Sequence, residues 1–181
     1  VKYLNGMFAF AILDTRLDSV FIARDRMGQK PLLYFRNKDS FVFASALTAL
    51  RQHPDMPREI DPQSIHDYFS LQYIPAPATA FKDVFKLPPG HFAEVNTSSG
   101  HVKISQYWKV DFTSKISLDF NSCCEMLREL LEDSVRKRLL ADVPVGVFLS
   151  GGIDSSIIAA LMAKTADAPV NTFTIGFDDP R

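Results

Sequence analysis

The sequence is poor in the residues that build disulfide frameworks and zinc sites. Its two cysteines, Cys123 and Cys124, are adjacent and fall in a segment with helical periodicity. Adjacent cysteines supply neither a disulfide framework nor the paired spacing of a zinc ligand set. The four histidines lie far apart in the sequence, at His53, His66, His91 and His101. We therefore expect no histidine-based metal site, and a reducing cytoplasm as the location.

The sequence also lacks an excess of charge of one sign and a long apolar run. Its 20 basic residues face 21 acidic ones, which gives a net charge of −1. Nucleic-acid binding therefore has no electrostatic support. Apolar runs such as residues 7–13 are too short to cross a bilayer. We expect neither a nucleic-acid partner nor a membrane partner.

The overall composition is that of an ordinary globular protein. Hydrophobic residues make up 46% and charged residues 23% of the 181 positions, enough for one domain or two small ones. The first residue is Val1, and both ends fall in sequence with the pattern of regular structure. We expect this sequence to be a segment of a longer protein.

A glycine- and serine-rich stretch in the second half is the most informative motif. It reads Ser150-Gly151-Gly152-Ile153-Asp154-Ser155-Ser156. An apolar, β-branched segment precedes it and an alanine-rich segment follows, which predicts a buried strand, a tight turn and a helix. Glycines let the backbone approach a ligand, and the N–H groups of a first helical turn favour phosphate. The stretch therefore predicts an anion site with three serine hydroxyls as further donors.

One simpler interpretation of this stretch stays open on the residues alone. A Gly-Ser loop whose serine only caps the following helix would need no ligand. A Walker A loop is excluded, because no Gly-Lys-Ser or Gly-Lys-Thr follows.

The first half consists of short apolar segments separated by turns. We predict strands within residues 4–14, 20–25, 31–35 and 41–45, joined as an antiparallel meander, since strand and turn repeat about every ten residues. Apolar residues on both faces of the first segment predict a sheet covered on both sides. A short helix is expected within residues 45–52 and a hairpin within residues 91–105. Asp61 before Pro62 predicts a helix start, and Ile65, Tyr68, Phe69 and Tyr73 give that helix an apolar face.

The second half predicts a strand, a helix and a second strand after a long helix. The long helix is capped by Asn121 or Ser122 and ends near Leu140, and the strands fall within residues 143–149 and 170–176. A strand, helix and strand of this length predict a parallel βαβ unit. The predicted fold class is therefore α+β with an antiparallel sheet over residues 1–110, a linker at 111–120, and α/β with a parallel sheet over 121–181. Since two strands rarely bury enough surface to stand alone, we expect exposed apolar surface.

The stretch from Ser150 to Ser156 resembles the PP-loop of the N-type ATP pyrophosphatases. That family grips the pyrophosphate of ATP, transfers AMP to a carboxyl or carbonyl oxygen, and lets a nitrogen nucleophile displace AMP. A second motif resembles a turn of the class II glutamine amidotransferases, whose glutaminase domain has an N-terminal nucleophile. It reads Arg24-Asp25-Arg26-Met27-Gly28-Gln29-Lys30-Pro31-Leu32. The residues themselves favour a structural role, because Gly28 permits a positive φ and Arg24 and Asp25 can bond backbone groups.

Together the two motifs resemble the glutamine-hydrolysing asparagine synthetase family, over essentially the whole sequence. Intermediate stretches match that pattern too, among them Phe43-Ala44-Ser45, Tyr73-Ile74-Pro75-Ala76-Pro77, Leu87-Pro88-Pro89-Gly90 and Gln106-Tyr107-Trp108. One departure is Ala46, where the family commonly carries Glu. That change removes a carboxylate near the glutaminase core.

The resemblance implies which residues bind ATP. It also implies that no catalytic residue of glutamine hydrolysis lies in this sequence, because the family's N-terminal Cys lies upstream of Val1. The implied ATP-binding residues are Phe148, Ser150, Gly151, Gly152, Asp154, Ser155, Ser156 and Ile175. Asp154 is also the implied ligand of Mg²⁺, although an acidic group in this turn could equally cap the helix.

The resemblance implies ATP-dependent amidation of aspartate through β-aspartyl-AMP, giving asparagine, AMP and pyrophosphate. The implied cofactors are ATP and Mg²⁺, and the implied partners are aspartate, glutamine and a second copy of the full-length enzyme. The 181-residue chain alone is expected to be inactive. Two alternatives stay open. One is a related amidotransferase or β-lactam synthetase-like enzyme with another carboxylate acceptor, and the other is a non-catalytic binding protein that keeps the fold.

Overall fold

The computed structural model describes residues 1–166 and 169–176. The chain divides into two compact units, the first Val1–Phe112 and the second starting at Thr113. Among the described residues, no helix combines the length and the apolar character needed to cross a bilayer. Each unit has its own helices and strands.

The first unit is built on two antiparallel sheets. One has the strand order β1-β2-β6-β7 and the other the order β4-β3-β5. The strands are β1 Ala9–Asp14, β2 Ser19–Arg24, β3 Leu33–Arg36, β4 Phe41–Ala44, β5 Val84–Lys86, β6 His91–Asn96 and β7 Val102–Gln106. The hairpin predicted within residues 91–105 is confirmed as β6 and β7, which pair from His91 opposite Gln106 to Val95 opposite Val102.

Two helices complete the first unit, α1 Leu47–Leu50 and α2 Pro62–Leu71. The predicted start of α2 is confirmed, since the Asp61 carboxylate accepts the Gln63 N–H at 3.2 Å and Pro62 is the first helical residue. A proline suits that position because its missing N–H would have no partner within the helix. The helix ends at Leu71, and its C-cap residue Gln72 has a left-handed φ of 62°.

The core of the first unit consists of two clusters of buried side chains. One cluster draws on both sheets and contains Ile22, Leu32, Tyr34, Leu87 and Ala93. The other lies on the three-stranded sheet beside α1 and contains Phe35, Leu50, Met56 and Val84. Since β2 belongs to the first sheet and β3 to the second, the chain passes from one sheet to the other between these two strands.

The predicted single meander is wrong at that step. β1 pairs with β2 and β3 pairs with β4, as hairpins, but β2 places its second edge against β6, with Ile22 opposite Ala93. A meander would have required β2 to pair with β3. The pairing partner of β2 is instead a strand about 70 residues further along the chain, which local spacing cannot indicate.

The predicted cover on both faces of the first strand is not found among the described residues. β1 is an edge strand of its sheet, and Ile12 and Leu13 are more than half exposed. The predicted apolar face of α2 is also largely open, since Tyr68, Phe69 and Tyr73 are at least half exposed. The expectation of exposed apolar surface is confirmed in both units, since Val143 and Phe148 of the second unit are also largely exposed.

The second unit contains α3 Phe120–Leu139, β8 Gly146–Phe148, α4 Ile153–Thr165 and β9 Asn171–Phe173. β8 and β9 are parallel, with Val147 opposite Thr172, which is the predicted strand, helix and strand. The parallel sheet has two strands among the described residues. Neither predicted cap of α3 is correct, because the capping side chain is Asp119, which accepts the Ser122 N–H at 3.1 Å. The residues after Gly176 in the predicted second domain lie outside the described residues.

The turn that connects the two sheets of the first unit is organised by Asp25. Asp25 is 1% exposed. One carboxylate oxygen accepts the N–H groups of Met27 and Gln29 at 3.1 and 2.9 Å, and the other accepts those of Lys30 and Phe8 at 2.9 and 3.3 Å. Burial by itself raises the pKa of Asp25, but these four N–H donors outweigh it and hold the pKa below its usual value. The carboxylate is therefore ionised and pairs backbone groups that would otherwise be buried without partners.

Arg24 joins the same turn to the chain around Gly90. Its guanidinium donates to the carbonyl oxygens of Lys30, Gly28 and Leu87 at 2.8, 2.7 and 2.7 Å. The predicted structural role of Arg24 and Asp25 is confirmed, because these side-chain hydrogen bonds all go to backbone groups. Gly28 has the expected positive φ, of 67°, and a Cβ there would lie 2.8 Å from Pro89 Cγ.

Replacing Asp25 tests whether its charge stabilises the turn. We expect Asp25→Asn to lower the free energy of unfolding at pH 7 by about 2 to 4 kcal/mol, because the amide NH₂ would face backbone donors. The folded-state pKa is depressed, so the stabilisation is present above the unfolded pKa and is lost as the pH falls below about 4. Thermal unfolding of both proteins between pH 3 and 7 should show the difference shrinking with acid. A difference that stays constant over that range would contradict the account.

Two glycines with similar backbones separate steric contact from strain. Gly90 and Gly100 have φ values of 67° and 69°, but a Cβ on Gly90 would lie 2.4 Å from the Trp108 carbonyl oxygen, whereas a Cβ on Gly100 would have no neighbour within 4 Å. We expect Gly90→Ala to cost about 1 to 3 kcal/mol more than Gly100→Ala, because only the first also overpacks. Urea unfolding of both variants provides the comparison. Equal costs would mean that the turn relaxes around the added methyl group.

Candidate phosphate-binding site

The candidate site lies where β8 ends and α4 begins. Leu149, directly after β8, donates its N–H to the Phe173 carbonyl oxygen at 2.8 Å, which continues the contact of β8 with β9. The strands approach closely at Gly146, where a Cβ would lie 2.5 Å from a ring atom of Phe173. Both strands point the same way, so their carboxyl ends meet at one edge. In open α/β sheets, ligands bind outside that edge.

Gly151 and Gly152 form the turn between the strand and the helix. Gly151 has a φ of 78°, which a residue with a side chain rarely adopts, and a Cβ there would have open space within 4 Å. Glycine is therefore required at position 151 by the backbone conformation and not by a lack of space for a side chain. Gly152 has extended backbone, with φ −78° and ψ 162°, and is the N-cap residue of α4.

The start of α4 has no side-chain cap. No side chain accepts a hydrogen bond at its N-cap position, so the interpretations of a capping serine and of a capping Asp154 are both wrong for the described helix. The first turn of a helix carries N–H groups that the helix itself cannot pair. At this end those groups, together with the positive end of the helix dipole, are left for solvent or an anion.

The serine hydroxyls meet around the backbone of the loop. Ser155 Oγ donates to the Gly152 carbonyl oxygen at 3.1 Å, and Ser156 Oγ donates to the same oxygen at 2.8 Å. Ser155 Oγ also accepts the Ser150 N–H at 3.3 Å and lies 3.0 Å from Ser150 Oγ. The structure thus brings the three predicted serines together, and it assigns Ser155 and Ser156 a role in shaping the loop.

Phe148 and Ile175 lie at the same edge as the loop. Phe148 is the last residue of β8, and Ile175 follows the end of β9 by two positions. Their side chains are 77% and 75% exposed, although both are large and apolar. Such side chains offer flat or apolar surface to a ligand at this edge. The family resemblance assigns the backbone at these two positions to the base and ribose of ATP, and that assignment stays a prediction.

Asp154 lies exposed in the first turn of α4. The described residues contain no group of three or more His, Cys, Asp or Glu side chains that could hold a metal ion. One carboxylate fits Mg²⁺ only as part of a shared site, because this ion commonly takes one or two carboxylates together with phosphate oxygens and water. Asp154 could therefore hold Mg²⁺ only when a phosphate ligand completes the coordination.

One residue at the site was missed by sequence reasoning. Thr174 Oγ1 donates to the Leu149 carbonyl oxygen at 2.8 Å and so reaches the residue that leads into the loop. A threonine next to a strand is common, and nothing in the sequence indicates that it contacts a segment 25 positions away. Cys123 and Cys124 lie on α3 and are free thiols.

Comparison with protein families assigns both parts of the chain. Residues 1–108 match the family described as "Glutamine amidotransferase domain". Residues 126–181 match the family described as "Asparagine synthase". The first match covers more than half of the chain, and the second contains the loop from Ser150 to Ser156.

Curated relatives extend over nearly the whole chain. It is 36% identical to "Asparagine synthetase [glutamine-hydrolyzing] 3" of Bacillus subtilis (strain 168), over 99% of this chain and 30% of the relative. It is 34% identical to "Putative asparagine synthetase [glutamine-hydrolyzing] 2" of Methanocaldococcus jannaschii, over 98% of this chain and 35% of the relative. The chain thus spans about a third of the length of these relatives. The chain belongs to the glutamine amidotransferase domain family, and its later residues are similar to the asparagine synthase family.

Proposed function

We propose that this chain is the junction segment of a glutamine-dependent asparagine synthetase. In the whole protein, ATP activates the side-chain carboxylate of aspartate, and ammonia released from glutamine converts it to the amide. The observation that carries the proposal is the start of α4. It has no side-chain cap, it follows a glycine with positive φ, and it lies at the carboxyl edge of two parallel strands.

The loop provides the contacts that a polyphosphate needs. The N–H groups after Gly151 and the dipole of α4 attract negative charge. The open space at Gly151 and the single ordinary contact at Gly152, with Ser150 Oγ at 3.5 Å from an added Cβ, let phosphate oxygens approach the backbone. Ser150, Ser155 and Ser156 keep the loop in shape and place hydroxyl groups beside the phosphates. Phe148 and Ile175 flank the loop with apolar surface for the adenine and ribose.

The aspartate carboxylate has to be activated, because a carboxylate oxygen is a poor leaving group and AMP is a good one. The aspartate β-carboxylate attacks the α-phosphorus of ATP, the bond to the bridging oxygen breaks, and pyrophosphate leaves. Ammonia then attacks the acyl carbon of β-aspartyl-AMP and AMP departs, which leaves the amide of asparagine. Mg²⁺, held by Asp154 and the phosphates, would supply positive charge that offsets the phosphate charge. The loop of this chain binds and orients the departing pyrophosphate.

A side chain on Gly152 tests this proposal. The backbone of Gly152 is extended, and a Cβ there would lie 3.5 Å from Ser150 Oγ, an ordinary contact. We therefore expect Gly152→Val to fold normally in the full-length protein but to lower asparagine formation by orders of magnitude, because its methyl groups would occupy the approach to the backbone N–H groups. Gly152→Ala should have a smaller effect in the same direction.

The readouts are asparagine formation, glutamate release from glutamine and melting temperature on one preparation. Glutamate release should largely survive, since it belongs to the amidotransferase part. A loop that only starts a helix predicts a lower melting temperature, by the equivalent of about 1 kcal/mol, with asparagine formation preserved in the folded fraction. That second pattern would reject the proposal.

The isolated 181-residue chain should not hydrolyse glutamine. The resemblance to the class II glutamine amidotransferases implies a cysteine nucleophile whose own terminal amine acts as the base, and neither Cys123 nor Cys124 is terminal. Incubation of the purified chain with glutamine should therefore release glutamate no faster than buffer does. Release above that background would show a nucleophile that the proposal does not contain.

A further inference from the structure

The peptide group between Leu149 and Ser150 is held from both sides by side-chain hydroxyls. Its carbonyl oxygen, on Leu149, accepts from Thr174 Oγ1 at 2.8 Å. Its N–H, on Ser150, donates to Ser155 Oγ at 3.3 Å. A trans peptide is planar, and its C=O and N–H point in opposite directions. The two hydroxyls therefore fix the rotation of this plane between them.

Thr174 takes over where the parallel strands stop pairing. The last backbone contact is the N–H of Leu149 with the Phe173 carbonyl oxygen at 2.8 Å, and β9 ends at Phe173. A continued parallel ladder would supply the Leu149 carbonyl oxygen with a donor from the backbone of β9. Here the donor is the hydroxyl of the next residue after the strand. This hydrogen bond extends the contact between the two segments by one peptide group, up to Ser150, the first residue of the loop.

The orientation of this peptide sets the course of the loop that follows. Gly151 comes next, with its φ of 78°, and then the N-cap residue Gly152. With the Leu149–Ser150 plane fixed, the positions of the N–H groups after it depend on few remaining torsions. A loop that is already in its binding conformation loses less conformational freedom when a ligand binds.

We propose that Thr174 is a positioning residue for ATP: its hydroxyl fixes the Leu149–Ser150 peptide so that the loop presents its N–H groups to the pyrophosphate. This inference rests on the proposed function of the loop. Thr174 need not touch ATP itself, since it acts through the carbonyl oxygen of Leu149.

The test compares Thr174→Val with Thr174→Ser in the full-length protein. Valine keeps the shape of threonine but removes the donor, and serine keeps the donor. Thr172→Val is the matched control, because it makes the same change two residues earlier, on β9 itself. Pyrophosphate formation at varied ATP gives KM and kcat, and glutamate release and melting temperature report on the rest of the protein.

We expect Thr174→Val to raise the KM for ATP by about 3- to 10-fold, which corresponds to the loss of one hydrogen bond, and to leave kcat nearly unchanged. Thr174→Ser and Thr172→Val should keep the wild-type KM. An unchanged KM in Thr174→Val, or a rise of the same size in Thr174→Ser, overturns the inference while the proposed function stands. If Thr174→Val lowers glutamate release and melting temperature along with ATP affinity, the inference is also overturned, because Thr174 then stabilises the fold and does not position the loop. Absence of ATP binding by the wild-type protein overturns the proposed function itself.

Discussion

A buried backbone N–H without an acceptor costs free energy. Two glycine-containing turns of this chain differ in how their N–H groups are paired. After β2, the turn folds around Asp25, whose two oxygens accept from four backbone N–H groups. After β8, the turn leads into α4, and no side chain caps that helix. Both turns carry a glycine with positive φ, Gly28 and Gly151. One turn is closed by an internal anion, whereas the other leaves its donors for an external one.

This contrast separates the structural motif from the binding motif. The Asp25 carboxylate is buried, and the side-chain hydrogen bonds of Arg24 and Asp25 go to the backbone of the first unit, so neither group is left for a substrate. In the loop from Ser150 to Ser156, side chains also bond the backbone, but they bond carbonyl oxygens and the Ser150 N–H at its base. The hydroxyls of Ser155, Ser156 and Thr174 thus determine the shape of the loop. The positive end of α4 stays accessible beside two exposed apolar side chains, Phe148 and Ile175.

Much of this could be predicted from local sequence, because the relevant interactions are local. Asp61 before Pro62 starts a helix through contacts within one turn, and the order of strand, glycines and helix around Gly151 follows from residue type alone. The structural role of Arg24 and Asp25 was also predictable from turn chemistry. The pairing of β2 with β6 was not, since it depends on which distant strand reaches an open edge. The cap of α3 was misplaced by two or three positions, because Asp119, Asn121 and Ser122 are all competent N-caps.

The contact of Thr174 with Leu149 was out of reach of sequence reasoning for a different reason. Threonine is frequent in and beside strands. Its presence at position 174 therefore does not indicate that its hydroxyl takes the place of a backbone hydrogen bond between the strands. Only the register of β8 against β9, with Phe148 opposite Phe173, brings that hydroxyl to the loop. The same register explains why Ile175, predicted only through family resemblance, lies at the edge where Phe148 ends its strand.

The most direct test of the central claim is the exchange of labelled pyrophosphate into ATP by the full-length protein, with aspartate and without it. If the loop from Ser150 to Ser156 binds the pyrophosphate of ATP during activation of a carboxylate, label should enter ATP only when aspartate is present, and Gly152→Val should abolish the exchange. No aspartate-dependent exchange by a preparation that still releases glutamate from glutamine would contradict the account.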